Sequence, residues 1–456
     1  MPGILFFSIH CIFITLLVVV WKQNNQQSPL RAWIVPGVCL KILTGIAVGL
    51  FFQRYYGYGG DSWNMHYSAT ELSQVAWQNP LSYLRLLLFN EYYHIPHLSY
   101  PNMWEQPRYL FVVKLVSVLH LFTGTSYWLT SFYLSLFSFC GLWQLANTLT
   151  KQFPSTRWAA IAAFLLFPSV VFWSSGLQKE SLAIGVIGWM VHQFLQAFLP
   201  STRQSYAFWL KSSLLWWVGI AWLWQLKFYY MGGLVPVMLS IALAQLATRK
   251  LWPMATDTAQ AHNKLWLFVV FLAGLLWLAS MLHPKLHLSQ FMHVLVLNHN
   301  ASFNFSNPDD VIHYTRIGGG YFNITSAPSS LLYNTPLAFV SGLFRPFIWE
   351  ANNKVKLLAG VENLWLMGLL CYAVVFLIKD KCRSIDIKQH PKLGLLLVGT
   401  LTYITLLAVL LAIASPNLGS LSRYKVGFLP FMAYLLHIPL SFSFHQWWAK
   451  RKKLKV

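Results

Sequence analysis

The feature that most limits how this chain can fold is a recurrence of apolar runs about twenty residues long, enough for a helix to cross the hydrocarbon core of a bilayer. With no water in that core, backbone polar groups must be satisfied within the segment, so each run can cross only as a helix. Of the 456 residues, 56% are apolar and 10% charged, which is outside the soluble range. The runs place spans at 4–21, 36–53, 126–147, 158–173, 181–199, 213–227, 231–248, 265–282, 357–378, 393–413 and 426–446. The expected fold is an all-α polytopic membrane protein with about eleven transmembrane helices, within a range of roughly ten to thirteen.

The net charge of +21 would suit a nucleic-acid protein. Here the bases instead sort by side of the membrane. Lys22, Arg31, Lys151, Arg157, Arg203, Lys211, Arg249, Lys250, Lys264, Lys379, Lys381, Arg383, Lys388 and Lys392 share one set of loops with the basic tail 447–456. The positive-inside rule then puts the N-terminus outside and the C-terminus in the cytoplasm, and no nucleic-acid partner is expected. The chain is one transmembrane domain with two large outer loops, 54–125 and 283–356. Each carries an apolar segment too short or too broken to span (107–123 and 329–347), expected to lie in the outer interface. The five cysteines show neither a disulfide framework nor a zinc pattern.

Only twelve residues are acidic, and an acid beside a membrane is expensive enough to mark a functional site. Asp61 follows the second span in Gly59-Gly60-Asp61-Ser62-Trp63-Asn64-Met65-His66. Glu180 ends the turn Trp173-Ser174-Ser175-Gly176-Leu177-Gln178-Lys179-Glu180. One reading has Glu180 complementing the positive start of the next helix. The other joins it to Asp61 as an acid partner or as half of a divalent-metal site, with Lys179 meeting a phosphate. Lys227, Arg316, Arg345 and Arg423 recur on the same face beside glycine, proline or aromatic residues, and guanidinium groups bind phosphate oxygens in pairs. The first outer loop is rich in aromatic residues and histidine, among them Trp63 and His66. Interface belts account for many of these; a groove in which sugars stack would use the same residues. His283 and His287 lack a third ligand in register for zinc. Lys41 and Glu362, the intramembrane charges a transporter would need, are expected to snorkel from span ends.

The element Tyr55-Tyr56…Gly60-Asp61 resembles the first outer loop of GT-C fold membrane glycosyltransferases. Pro168…Trp173-Ser174…Lys179-Glu180 is similar to their second. Together with Arg345-Pro346…Glu350 and Asn417…Arg423-Tyr424, the pattern looks like that of bacterial membrane proteins grouped with these enzymes. The resemblance implies a transferase of the bacterial plasma membrane with its site on the periplasmic face. It would move a sugar from a polyprenyl-phosphate donor to a glycan, lipid or protein acceptor. It implies Asp61 and Glu180 as catalytic acids; with the aromatic and basic residues noted above, the expected substrate contacts are Tyr56, Trp63, His66, Lys179, Lys227, Arg316, Arg345, Glu350 and Arg423. The sequence departs from the family in having a single acid at Asp61 rather than an Asp-x-Asp pair. A polymerase of undecaprenyl-pyrophosphate glycans and a transporter of lipid-linked sugars are the competing expectations.

Overall fold

A computed structural model describes residues 2–55, 57, 60–91, 107–199, 205–252, 257–282, 284–304, 311–312, 324–380 and 392–453. Among these the chain is helical, without a β-strand. In order the helices are α1 Pro2–Asn24, α2 Ile34–Tyr55, α3 Gly60–Gln78, α4 Pro80–Phe89, α5 Pro107–Thr123, α6 Tyr127–Gln152, α7 Arg157–Ala160, α8 Pro168–Trp173 and α9 Lys179–Phe198. There follow α10 Tyr206–Leu251, α11 Asp257–Leu282, α12 Leu288–Asn304, α13 Pro328–Phe344, α14 Lys354–Asp380, α15 Leu393–Ala414, α16 Leu418–Tyr424 and α17 Leu429–Lys453. Eight of them are long and apolar enough to cross a membrane, nine if the bent pair Leu418–Gly427 and Leu429–Phe444 forms one span. The protein is therefore an all-α polytopic membrane protein.

Two of the expected spans are joined in α10. Its 46 residues would extend about 70 Å, more than twice the hydrocarbon thickness. Lys227 breaks it, with a non-helical φ of −150° and ψ of 76°. The first arm runs antiparallel to α9: Ser212 bonds Gln193 at 3.2 Å, and Gly219 faces Met190. The second packs on α15, with Gly233 against Tyr403 and Gly399 against Ile241. Lys392, at the start of α15, donates to Phe198 O at the end of α9 and is also close enough to Arg249 to feel its charge. Both ends of α10 thus lie at one end of the bundle and Lys227 is the vertex at the other.

The expected span 158–173 is broken. α7 runs into π-helical turns at Ile161–Leu166, and Pro168 then starts the six-residue α8. Proline cannot supply the N–H that would continue the helix. The non-helical stretch 174–178 is buried. Such backbone is tolerated in a bundle where protein groups satisfy it: Ser135 Oγ accepts from Gly176 N at 2.8 Å, and Ser62 Oγ donates to Leu177 O at 2.8 Å. Lys41 does not snorkel as expected. It is 1% exposed, and its Nζ donates to Ser174 O at 2.8 Å and Ser138 Oγ at 3.2 Å. Glu362 also turns inward, accepting from Ser169 N at the start of α8 at 2.9 Å.

α9 packs on α6 through glycine. A Cβ on Gly141 would lie 2.1 Å from Gly185 O, so only glycine permits this approach. The described part of the first large loop is mostly helix. Asn79 caps α4, accepting from Ser82 N at 3.1 Å, and Asn90 ends it in the left-handed conformation at φ 59°.

Candidate functional site

Asp61, Glu180, Lys227 and Arg423 are separated by long stretches of sequence and meet at one end of the bundle. α3 presents Asp61 in its first turn, and α9 presents Glu180 in its own. Lys227 is the vertex of α10, and Arg423 closes α16. Asn417 caps the start of α16, accepting from Ser420 N at 2.8 Å.

The guanidinium of Arg423 joins the two acids. Its Nη1 donates to Asp61 Oδ2 at 3.0 Å and its Nη2 to Glu180 Oε2 at 2.8 Å. Lys227 Nζ stands 3.0 Å from Glu180 Oε1. Glu180 thus has a cation on each oxygen, which offsets the cost of burying its carboxylate completely. The Asp61 side chain is 50% exposed, so the network has a buried floor and an accessible mouth. Lys179 is within electrostatic reach of Asp61, Lys227, Glu180 and Arg423. The cluster therefore sets three cations against two carboxylates.

Aromatic rings frame these charges. Lys227 Nζ lies 4.0 Å from the Tyr424 ring centre and 5.7 Å from that of Tyr229. Lys179 lies 5.3 Å from Tyr109, Arg423 5.9 Å from Phe52, and Arg108 4.4 Å from Phe228. Sequence reasoning missed Tyr424, Tyr229 and Phe52 as members of the site. For Tyr424 and Tyr229 the legible signal was an aromatic next to Arg423 or two residues from Lys227; Phe52, brought in by α2, had none.

Other expected contacts lie elsewhere. Arg345 pairs with Glu350 at 3.2 Å, and its carbonyl accepts from Lys425 Nζ at 3.4 Å. Lys425 is two residues past Arg423, so this pair adjoins the network without entering it. Trp63 and His66 are buried and serve packing rather than a groove. Trp63 stacks on Tyr127 with centres 3.9 Å apart, and its Nε1 donates to Gly49 O at 3.1 Å. His66 Nδ1 lies 3.3 Å from His120 Nε2. Burial, which disfavours the charged ring, pushes His66 down to about 4; the same effect, with His66 as neighbour, pushes His120 down to about 3. Tyr56, Arg316 and His283 lie outside the described residues.

The donor set does not suit the divalent ion considered from sequence. The carboxylate oxygens that converge are bridged by Arg423, so an ion there would have to displace the guanidinium. Among the described residues no group of three His, Cys, Asp or Glu could hold a metal.

In comparison with known proteins, no family model matches the sequence, no curated protein matches it, and no solved structure matches it.

Proposed function

We propose that the chain is a GT-C-like membrane glycosyltransferase. It would take a sugar from a polyprenyl-phosphate donor and pass it to a glycan, lipid or protein acceptor of the cell envelope. The observation that carries this reading is the Arg423 guanidinium bridging the accessible Asp61 and the buried Glu180. It supports one site built from both acid-bearing turns. The site would face the outer side of a bacterial plasma membrane, since the bases Lys392, Arg249 and Lys264 gather at the other end of the bundle.

The chemistry is a single displacement. The acceptor oxygen bonds to the anomeric carbon as the bond from that carbon to the phosphate oxygen breaks. Asp61 accepts the proton of the acceptor hydroxyl through its exposed carboxylate edge. The lipid phosphate leaves with its electron pair, and Lys179 meets the developing charge. Arg423 and Lys227 hold Glu180, and Glu180 in turn fixes the guanidinium that orients Asp61. Positioned charges of this kind need no reorganisation during the step. Asp61→Asn in a deletion host, at matched protein level, is expected to leave the protein folded and its surface glycan unrestored. A restored glycan would remove Asp61 from the chemistry.

The burial of Lys41 beside a broken helix favours a second reading, a transporter of lipid-linked sugars. Intramembrane charges and broken helices at the midplane are the usual features of such proteins. Transport of a labelled lipid-linked sugar across proteoliposomes that is lost in Lys41→Met and kept in Asp61→Asn would favour it over the transferase.

A further inference from the structure

The ion pairs on the floor of the site leave donors unused at its rim. Arg423 is taken by Asp61 and Glu180, and Lys227 by Glu180. Lys179 is the surplus ammonium, which the proposed displacement assigns to the leaving phosphate. Arg108 and Tyr229 have no part in that step. Arg108 stands in the first turn of α5 and is exposed. Its guanidinium makes no hydrogen bond or ion pair among the described residues. It rests on the ring of Phe228, 4.4 Å from the centre and one residue past the vertex of α10. At an exposed site such a contact holds a cation only lightly, so the long side chain is free to turn toward an anion.

Tyr229 follows Phe228 and brings a buried hydroxyl. A phenol keeps its proton at neutral pH and can donate it. Lys227 stands beside this hydroxyl, but an ammonium only donates. Glu180 also acts on Tyr229, yet its two oxygens are held by Lys227 and Arg423. The O–H of Tyr229 therefore has no acceptor among the described residues. A buried donor in that condition is costly, and native structures rarely keep one unless something else completes it. Arg108 is close enough to Tyr229 for their charges to act on each other. A lightly held guanidinium and an O–H without an acceptor thus converge beside the network, and one oxyanion satisfies both.

We propose that Arg108 and Tyr229 form a second anion subsite, which receives a carboxylate carried by a sugar of the acceptor glycan. One guanidinium and one hydroxyl match a group with a single charge and two oxygens more closely than a phosphate monoester, which carries nearly two charges. The carboxylate is assigned to the acceptor because Arg108 is exposed at the rim, on a helix of the first outer loop, whereas the donor phosphate is met by Lys179. The acceptor is then an acidic glycan, and a neutral one offers nothing to either group. That assignment to an acceptor rests on the transferase reading; the subsite itself does not.

A binding measurement reads the subsite without turnover. The full chain, purified in neutral detergent, is titrated by calorimetry with tetragalacturonate or with its methyl ester, which carries the same sugars without charge. The wild type is expected to bind the acid about tenfold more tightly than the ester, the effect of one charge-assisted contact. Arg108→Gln is expected to remove that preference, and Tyr229→Phe to lower it about threefold. Arg108 is exposed and the Tyr229 hydroxyl has no acceptor to lose, so both variants should fold, which their thermal transitions check. Arg249→Gln, at the opposite end of the bundle, is expected to keep the preference. An equal loss there would mean diffuse attraction to a basic protein and overturn the inference. Equal binding of acid and ester, or binding of neither, overturns it as well, as does a preference untouched by Arg108→Gln or by Tyr229→Phe. Tighter binding of inorganic pyrophosphate than of the acid, lost in Arg108→Gln, would give the subsite to a second donor phosphate and overturn the acceptor. The transferase reading fails separately: a surface glycan restored by Asp61→Asn, with the acid preference intact, would remove the enzyme and leave the subsite with the acidic glycan as its ligand.

Discussion

Both ends of this bundle gather cations from distant parts of the sequence, and they answer them differently. At the end that holds Arg423 and Lys227, two carboxylates meet the positive charges within 3.0 Å. At the end that holds Lys392, the ammonium rests on helix carbonyls and faces two further cations. A buried charge that has lost its partner is costly, whereas a like-charged cluster near the surface is relieved by any anion that arrives. The first end carries most of its own counter-charge, with Lys179 as the surplus cation, and the second answers its ammonium with backbone carbonyls.

The largest effect expected from breaking this contrast is at Glu180. Replacing it by Gln leaves Arg423 and Lys227 without their buried counter-charge, and removing one member of such a pair typically costs about 3–5 kcal/mol. The variant is expected to accumulate poorly and to unfold at a markedly lower temperature in detergent. A double replacement, Glu180→Gln with Lys227→Met, should recover part of that loss because it removes one orphaned cation. Failure of the second substitution to recover any stability would mean that Lys227 is held by its Tyr424 and Tyr229 rings rather than by Glu180.

An acid-sensitive step comes next in size. His66 and His120 lie behind Asp61 on the buried faces of α3 and α5 and are held neutral, with values pushed down to about 4 and about 3. In the unfolded chain both titrate near 6.5. Their contribution to stability is therefore complete above roughly pH 6.5, and it drains away as pH falls from there toward about 4, because the unfolded state binds the protons first. The loss for His66 alone is on the order of a few kcal/mol, since each tenfold difference in proton affinity between the folded and unfolded chain is worth about 1.36 kcal/mol. Melting temperature measured from pH 7 to pH 4 should fall in the wild type and fall less steeply in His120→Gln. Parallel curves for the two proteins would assign the acid response to other groups.

These responses also measure how much was legible in the sequence. The apolar runs located most of the long helices, and the paired runs 213–227 and 231–248 survive as the arms of α10, divided at Lys227, but the run 158–173 is not one helix and eight or nine spanning helices among the described residues stand against the eleven expected. That Asp61 and Glu180 share one site was one of two readings the sequence left open, offered because acids are scarce in this chain and both follow turns at span boundaries. The direction of Lys41 was not legible. Nothing in a span with one lysine near its start announces that Ser138 and Ser174, 97 and 133 positions away in sequence, supply its acceptors. Trp63 and His66 misled for a related reason. Aromatic and histidine residues beside a membrane suit an interface belt, a sugar groove or a helix seam equally well, and only their contacts with Tyr127 and His120 decide among these.

A smaller effect is expected at Asp61 itself. Its side chain is half exposed, and an ion pair of that kind contributes about 0–1 kcal/mol. Asp61→Asn should therefore melt within that margin of the wild type while losing its proposed role in transfer. The two acids share one guanidinium, so the difference between Asp61→Asn and Glu180→Gln isolates burial as the variable. Equal destabilisation by both variants would mean that the mouth of the site closes over Asp61 in the membrane.

The smallest effect expected, at Arg249, is the most discriminating, because its sign depends on the solvent. Arg249 is exposed, and surface substitutions usually change stability by no more than about 0.5 kcal/mol. In a neutral detergent, Arg249→Gln removes one of the like charges crowding Lys392, so the variant should melt slightly higher than the wild type. In nanodiscs containing an anionic phospholipid Arg249 gains a counter-ion in the wild type, and the variant should then melt lower. At high salt both differences should shrink, since screening acts on exposed charges first. A variant that melts higher in both media would show the cluster to be a tolerated repulsion and would erase the difference between the two ends. A reversal of sign would confirm that one end carries most of its own counter-charge and that Arg249 at the other takes it from the bilayer.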